Sequence, residues 1–411
     1  MTETDSIRVP LGPQHPALKE PANFILSLRG ELITGMGIRL GYNHRGMEKA
    51  TEQRSYLQDL YLLERICGIC SHSHTTCYLG AVEEIADGIP PKRAQYIRVL
   101  VAELERIHSH LLWLGVAGHE VGFDTLLMYT WRDREVVMDL LADLTGNRVN
   151  YGINTIGGVR RDLTEEQKAQ VLKATDILEE RTKYYIEIAT TELTLEKRLS
   201  NVGVLSKQDV LRYGVTGPTG RASGVRRDLR KDDPYLVYDE LEFDVCTAES
   251  CDVFGRVVVR VLELMQSYRI IRQVIKQLPD GPIVKKVPRK IKKGFAVSRY
   301  EAPRGEDIHY VRSNGSENPD RVKVRAPTLV NLQAVPLMVT GGYLADMPIT
   351  LAAIDPCFSC TDRLIALEPQ DGGGRSVVGW RELRETSIHF YRRQGIDFSD
   401  LNRRLAQRGI D

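Results

Sequence analysis

No run of about 18 apolar residues occurs in the chain, which argues against an ordinary membrane-spanning helix. The opening MTETDSIRVPLGPQHP lacks the basic start and apolar centre of a signal peptide. The expectation is a cytoplasmic protein, or a peripheral one docked on the cytoplasmic side of a membrane through other subunits. Charge of one sign is also missing, since 56 Lys and Arg stand against 55 Asp and Glu. That balance gives no global attraction to nucleic acid or to an anionic lipid surface. Cysteine is scarce and odd in number, with seven in 411 residues. A disulfide framework is disfavoured, and metal binding or redox chemistry is the more natural use of these thiols. Neither a βαβ alternation, nor an internal repeat, nor a low-complexity tract is found.

What is present is an ordinary globular composition, 42% hydrophobic and 27% charged, in a chain long enough for a substantial core. RVPLG, NFILSLRG and LITGMGIRLGY alternate apolar and polar residues between glycines, predicting a small antiparallel β unit over residues 1–48. From Lys49 the period turns helical. Helices are expected over TEQRSYLQDLYLLERIC, from Lys92 to about Leu114, at WRDREVVMDLLADLTG closing on Gly146, at LTEEQKAQ through EKRL, and from CDVFGRVV to KQL. Leu100, Leu104, Ile107, Leu111 and Leu114 recur at steps of four and three and share one helix face. Thr164 with Gln167 makes a capping-box pattern. The expected fold is α+β, mainly α. A helical body with strand and loop excursions spans 49–363, and an extension over 364–411 passes through Gly372-Gly373-Gly374 to an arginine-rich end.

Two C-x-x-C pairs stand near opposite ends of this body, Cys67 and Cys70 in RICGIC, Cys357 and Cys360 in DPCFSC. Two such pairs can turn four sulfurs toward one metal. A zinc ribbon separates its pairs by about 15–20 residues, whereas 286 intervene here. Closing a loop that long costs roughly 5 kcal/mol, which a large folded core can supply and a small zinc module cannot. Four thiolates around a divalent ion carry a net charge of about minus two, so positive groups must surround them. Arg65, Arg304 and Arg363 are candidates for that role.

RICGIC and DPCFSC together resemble the paired signatures of nickel-iron hydrogenase large subunits. GPQHPALKEP, GYNHRGMEK, ELERIHSHL, GNRVNYGINTIGGVRRD, GPTGRASG and RYEAPRGE also resemble family blocks, in family order over almost the whole chain. The front GPQHP and the ending SCTDR are similar to the membrane-bound, energy-converting branch, which is related to the 49 kDa (D-type) subunit of respiratory complex I. Uptake hydrogenases have His where this chain has Arg363, so the resemblance does not extend to a magnesium site built on that His. It implies that Cys67, Cys70, Cys357 and Cys360 hold nickel, that Cys70 and Cys360 bridge to an iron carrying carbon monoxide and cyanide, and that Cys357 is the terminal thiolate taking a proton when dihydrogen is split. Glu20 is implied as the proton relay and Arg304 as the cation over the open side of the metal. His15 and Tyr56 match the neighbourhood lining the quinone pocket of complex I, with structural or proton-path roles expected here.

The resemblance further implies partners: a small subunit with a four-iron cluster, since no cysteine set for an iron-sulfur cluster remains in this chain, then complex-I-like hydrophilic and integral membrane subunits, and ferredoxin. Maturation factors are expected too, including an endopeptidase cutting at Arg363-Leu364. Two other readings stand beside this one, a metal-free complex-I-type subunit shaping a quinone pocket and a subunit in which zinc holds the fold. Cys77, Cys246 and Cys251 are expected to pack as small hydrophobes. His108 and His110 diverge by roughly 200° on a helix and are expected to hydrogen-bond in the interior. His72 is a candidate to hydrogen-bond a cysteine sulfur, and YGVTGPTGRASG to pack closely beside the site. VRRDLRKDD and LNRRLAQRG read as solvated faces.

Overall fold

Alternation of apolar and polar residues near the N-terminus produces the expected sheet. In the computed structural model, which describes residues 6–362, 365–367, 376–378 and 380–395, β1 (Ile7–Leu11), β2 (Asn23–Arg29) and β3 (Leu32–Arg39) pair antiparallel in that order. Phe24, Leu26 and Leu28 point inward from β2. They share a core with Val335, Met338, Leu351 and Phe358, far along the chain.

The helix expected over Thr51 to Cys67 is two helices. α1 (Met47–Thr51) stops, and Ser55 starts α2 (Tyr56–Glu64) with a capping box to Gln58. That local signal outweighs the continuous helical period. α3 (Ser71–Ile85) has no counterpart among the expected helices. Its first turns, SHSHTTC, carry no apolar stripe, yet every residue from Ser71 to Leu79 is buried. α4 (Lys92–Glu120) buries the expected Leu100 to Leu114 stripe. It also buries Arg98, Glu103, Glu105, Arg106, His108 and His110, each 1% exposed or less. α5 (Asp124–Thr145) closes on Gly146 in the left-handed region, and a short hairpin follows from β4 (Asn154–Thr155) and β5 (Gly158–Val159).

α6 (Glu165–Thr191) starts at the Thr164 capping box and breaks at Glu192 before α7 (Leu193–Leu199). Three short helices, α8 (Lys207–Tyr213), α9 (Gly217–Arg221) and α10 (Leu229–Asp232), lead to α11 (Val253–Gln277). Helices α4, α5, α6 and α11 pack around the largest apolar core. A second antiparallel sheet, β6 (Gly294–Ala302), β7 (Gly305–Ser313) and β8 (Pro319–Arg325), lies on α3. Then come α12 (Pro327–Asn331), α13 (Val335–Val339), α14 (Met347–Ala352), α15 (Phe358–Thr361), β9 (Ile365–Leu367), β10 (Ser376–Val378) and α16 (Trp380–Arg393). Among the described residues no helix is long and apolar enough to cross a membrane.

One expected solvated face is partly interior. In VRRDLRKDD, Asp228 and Arg230 are each 1% exposed, and Arg230 pairs with Asp228 at 2.7 Å and Glu103 at 3.1 Å. Arg221 binds Glu263 and Glu301, both at 2.8 Å. Burying so many charges is tolerated because each finds an opposite partner. The network ties the loop around α9 and α10 to α4, α11 and β6.

Candidate metal centre

Both cysteine pairs sit at starts of helices. Cys67 follows the end of α2 and Cys70 caps α3, while Cys357 caps α15 and Cys360 lies within it. All four are 5% exposed or less. Cys357 Sγ is 2.9 Å from Cys360 Sγ and 3.4 Å from Cys67 Sγ, and Cys70 Sγ is 3.6 Å from Cys360 Sγ. The fold thus joins four sulfurs from opposite ends of the chain. Metal–sulfur bonds of about 2.3 Å put neighbouring sulfurs roughly 3.3–3.8 Å apart, so the donor set fits one metal with little movement. Hydrogen bonds from the other three sulfurs, with Arg304 nearby, hold Cys67 well below the usual thiol range. Burial pushes Cys360 up. A cation among them would favour thiolate at every position.

The second pair is approached through a strained residue. Asp355 has φ 53°, in the left-handed region, immediately before Pro356. Arg304, in the turn between β6 and β7, donates from Nε to the Asp355 carbonyl and from a terminal nitrogen to its carboxylate, both at 2.8 Å. Burial alone would weaken the guanidinium charge, but Asp355 and the sulfurs of Cys70, Cys357 and Cys67 hold it firmly cationic. A Cβ on Gly217, which has φ 70°, would stand 2.5 Å from the Arg304 carbonyl oxygen. That is the close packing expected of YGVTGPTGRASG.

Glu20 reaches the same place from the β1–β2 connection. One carboxylate oxygen accepts from the backbone N–H groups of Phe358 (2.5 Å) and Ser359 (3.0 Å), and the other accepts from the Ser359 hydroxyl at 2.6 Å. A cavity of about 480 Å³ opens beside it, lined by Cys67, Cys357, Arg304 and Glu20 at one end. Trp113, Val116, Leu127 and Trp131 make its apolar walls, and the Lys19–Glu120 ion pair stands among its lining residues.

Other expected residues are placed differently. His72 does not touch a sulfur; its Nε2 lies 2.9 Å from the Arg98 carbonyl, and Asn154 faces its other nitrogen. His74 takes that position instead, with Nε2 3.2 Å from Cys360 Sγ. A residue four past Cys70 on a helix projects from the same face as Cys70, and one two past does not. Asp307, 3.0 Å from Nδ1, raises His74 above the ordinary histidine value against the opposing effect of burial. Arg65 is half exposed and donates to the Tyr61 carbonyl, so it is not among the charges around the sulfurs. Arg363 and the expected cut before Leu364 lie outside the described residues. His108 contacts the Tyr151 hydroxyl at 3.0 Å and His110 contacts Glu263 at 2.9 Å, interior roles as expected. Cys77 is buried against the Ser298 carbonyl, Cys246 is buried, and Cys251 is half-buried. His15 is exposed, and Tyr56 is buried near Asp59.

The family model of the nickel-dependent hydrogenases matches residues 45–115, which contain the first cysteine pair. That of the respiratory-chain NADH dehydrogenase 49 kDa subunit matches residues 120–293 and 287–363, which contain the second. The membrane-bound hydrogenase subunit alpha of Pyrococcus furiosus is 43% identical, covering 93% of this chain and 92% of its own length. The carbon monoxide-induced hydrogenase of Rhodospirillum rubrum is 39% identical, over 86% of this chain and 99% of its own. Among solved structures, a chain of the membrane-bound sulfane sulfur reductase, an archaeal respiratory membrane complex, superposes with a TM-score of 0.84 at 34% identity, over 88% of this chain and 100% of its own. The chain therefore belongs to the family that unites the large subunits of membrane-bound, energy-converting hydrogenases with the 49 kDa subunit of complex I.

Proposed function

We propose that this chain is the catalytic large subunit of a membrane-associated nickel-iron hydrogenase, interconverting dihydrogen with protons and electrons. The observation that carries the reading is the convergence of Cys67, Cys70, Cys357 and Cys360, which would hold the nickel and iron, in a member of a family whose hydrogenase relatives cover nearly the whole chain. Soft thiolates suit nickel and iron better than the harder cations. The centre so held supplies the making and breaking of the H–H bond. In this reading Cys357 holds the released proton at Sγ, and Glu20, hydrogen-bonded to the two residues that follow Cys357, carries it away. Arg304 keeps a fixed positive charge against the sulfurs and clamps Asp355, so the Cys357 approach stays set. The apolar walls of the cavity offer a small nonpolar gas an apolar surface beside Cys67 and Cys357.

Electrons leave through a small subunit bearing a four-iron cluster, with ferredoxin as their external partner. The chain sits on the cytoplasmic side of the membrane, on complex-I-like hydrophilic and integral subunits that move ions; the names of its relatives support the membrane-bound complex alone. Iron-bound carbon monoxide and cyanide belong to the same reading, as does removal of 364–411 by a maturation endopeptidase. A second reading, a metal-free subunit shaping a cavity for a larger redox molecule, is favoured by one observation: about 480 Å³ exceeds what dihydrogen needs. Metal analysis and infrared spectroscopy of the purified complex separate them. Nickel at the level of the chain, with carbonyl and cyanide bands and hydrogen-dependent dye reduction, supports the hydrogenase. Absence of nickel, or zinc in the cysteine site, overturns it.

A further inference from the structure

A second convergence of ligand-type side chains lies behind the cysteines. Asp307 and His309 alternate along β7 and so project from one face of the sheet, toward α3, which supplies His74. His74 Nδ1 is 3.0 Å from Asp307 Oδ2, Asp307 Oδ2 is 3.2 Å from His309 Nε2, and His309 Nε2 is 3.2 Å from His74 Nδ1. These three donors form a nearly equilateral triangle, and their side chains are 1% exposed or less.

Hydrogen bonding alone accounts poorly for that shape. If both rings donated to the same oxygen, the two N–H groups would arrive about 60° apart, where the lone pairs of a carboxylate oxygen favour a far wider separation. If one ring donated to the other, one of the three short contacts would have no hydrogen in it. A single cation satisfies all three at once. Ligand bonds of about 2.0–2.2 Å separate neighbouring donor atoms by roughly 3.0–3.4 Å, the edge length seen here. Two imidazoles and one carboxylate are a recurrent donor set for first-row divalent metals.

We propose that His74, Asp307 and His309 bind a divalent ion of the zinc class, a site separate from the cysteine centre and joined to it through one imidazole. The remaining nitrogen of His74 faces Cys360 Sγ at 3.2 Å. A metal-bound histidine ordinarily donates its other N–H to an acceptor that fixes the ring, and here the acceptor is the sulfur. The ion minus the Asp307 charge leaves one net positive charge behind a thiolate cluster that needs compensation. Its role is structural and electrostatic, holding the ring of His74 against Cys360.

The site stands on its own donors, so its fate is separable from that of the nickel reading. The test is zinc quantification and zinc K-edge absorption on the purified native complex, before and after incubation with zinc alone. One zinc per chain, with only nitrogen and oxygen neighbours, is expected. Asp307→Asn and His309→Gln each lose that zinc. Absence of zinc under both conditions leaves a hydrogen-bonded triad only and overturns the proposal. Sulfur neighbours in the spectrum overturn it as well, because they place the zinc at the cysteines. The wild-type spectrum decides the matter even where a variant fails to accumulate.

Discussion

Replacing Glu20 by Gln separates its observed role as a brace from its proposed role as a proton carrier. As a brace the carboxylate accepts two backbone N–H groups and one hydroxyl at the start of α15. A glutamine keeps its oxygen toward the N–H groups of Phe358 and Ser359, and the Ser359 hydroxyl can rotate to accept from the new amide. What is lost is charge assistance, about 1 kcal/mol per bond, so the local cost is about 1–3 kcal/mol and the cysteine pair stays in place. As a proton carrier the side chain is disabled outright. Losing a positioned acid–base group lowers turnover about 10²–10⁴-fold, equivalent to about 3–5 kcal/mol of barrier. The assay is hydrogen–deuterium exchange and dye-linked hydrogen oxidation on Glu20→Gln, normalised to nickel content. Nickel near the wild-type level with activity down at least about a hundredfold is expected. Glu20→Ala, which removes all three bonds, should lose nickel as well. Full nickel with exchange within about threefold of wild type in Glu20→Gln would show that Glu20 only braces the loop, and the relay argument would fail.

Arg98 makes a two-pronged pair with Glu83 at 2.7 and 2.8 Å and also donates to the Thr155 and Gly158 carbonyls, all within the interior. Arg98→Met should therefore cost about 3–5 kcal/mol in denaturant titration, with part of the loss restored by adding Glu83→Gln. Asp59 is fully buried beside the Tyr78 hydroxyl, and burial pushes its carboxyl up to about 8. Between about pH 4 and 8 the folded protein holds a proton that the unfolded chain has released, so stability falls as pH rises through that window and levels above it. Asp59→Asn should flatten that slope in melting curves taken from about pH 4 to about 8.5, coming nearest to wild type at the acid end and exceeding it at the alkaline end; an unchanged slope rejects the assignment. Gly217→Ala should lower yield and displace Arg304, because strain of about 1–2 kcal/mol in the left-handed region adds to a backbone clash; normal stability with normal nickel content contradicts it.

Much of the fold was legible where periodicity and caps agree. The α4 stripe, the Thr164 capping box, the Gly146 stop and the N-terminal strands are each signalled by a pattern of neighbouring residues, and each appears in the structure. α3 escaped because its early turns are buried through hydrogen bonds, not apolar contacts: Glu105 accepts from the backbone of His72 and Ser73. Period analysis sees hydrophobicity alone. Burial of Asp228 and Arg230 escaped for the same reason, since Glu103 lies 127 residues from Arg230 in the sequence. At the site, spacing made the cysteines stand out, but choosing between His72 and His74 required knowing that a helix begins at Ser71. Asp307 and His309 carried a readable signal, two polar ligand-type residues two apart in a strand. The contact of Glu20 with Phe358 spans 338 residues and no local pattern signals it; family resemblance marked Glu20 as a proton relay alone.

Synthesis of the chain gives the cysteine separation a meaning in time. Cys70 and Cys360 are 290 residues apart. At about 5–20 residues per second the ribosome takes roughly 15–60 s to deliver the second pair after the first. For that interval Cys67 and Cys70 are a ready chelate with nothing to complete them, and any thiophilic ion in the cytosol can compete for them. Correct metal loading is therefore a kinetic problem before it is an affinity problem. On the nickel reading, a cell that makes this subunit needs a way to keep the first pair empty until the last has emerged.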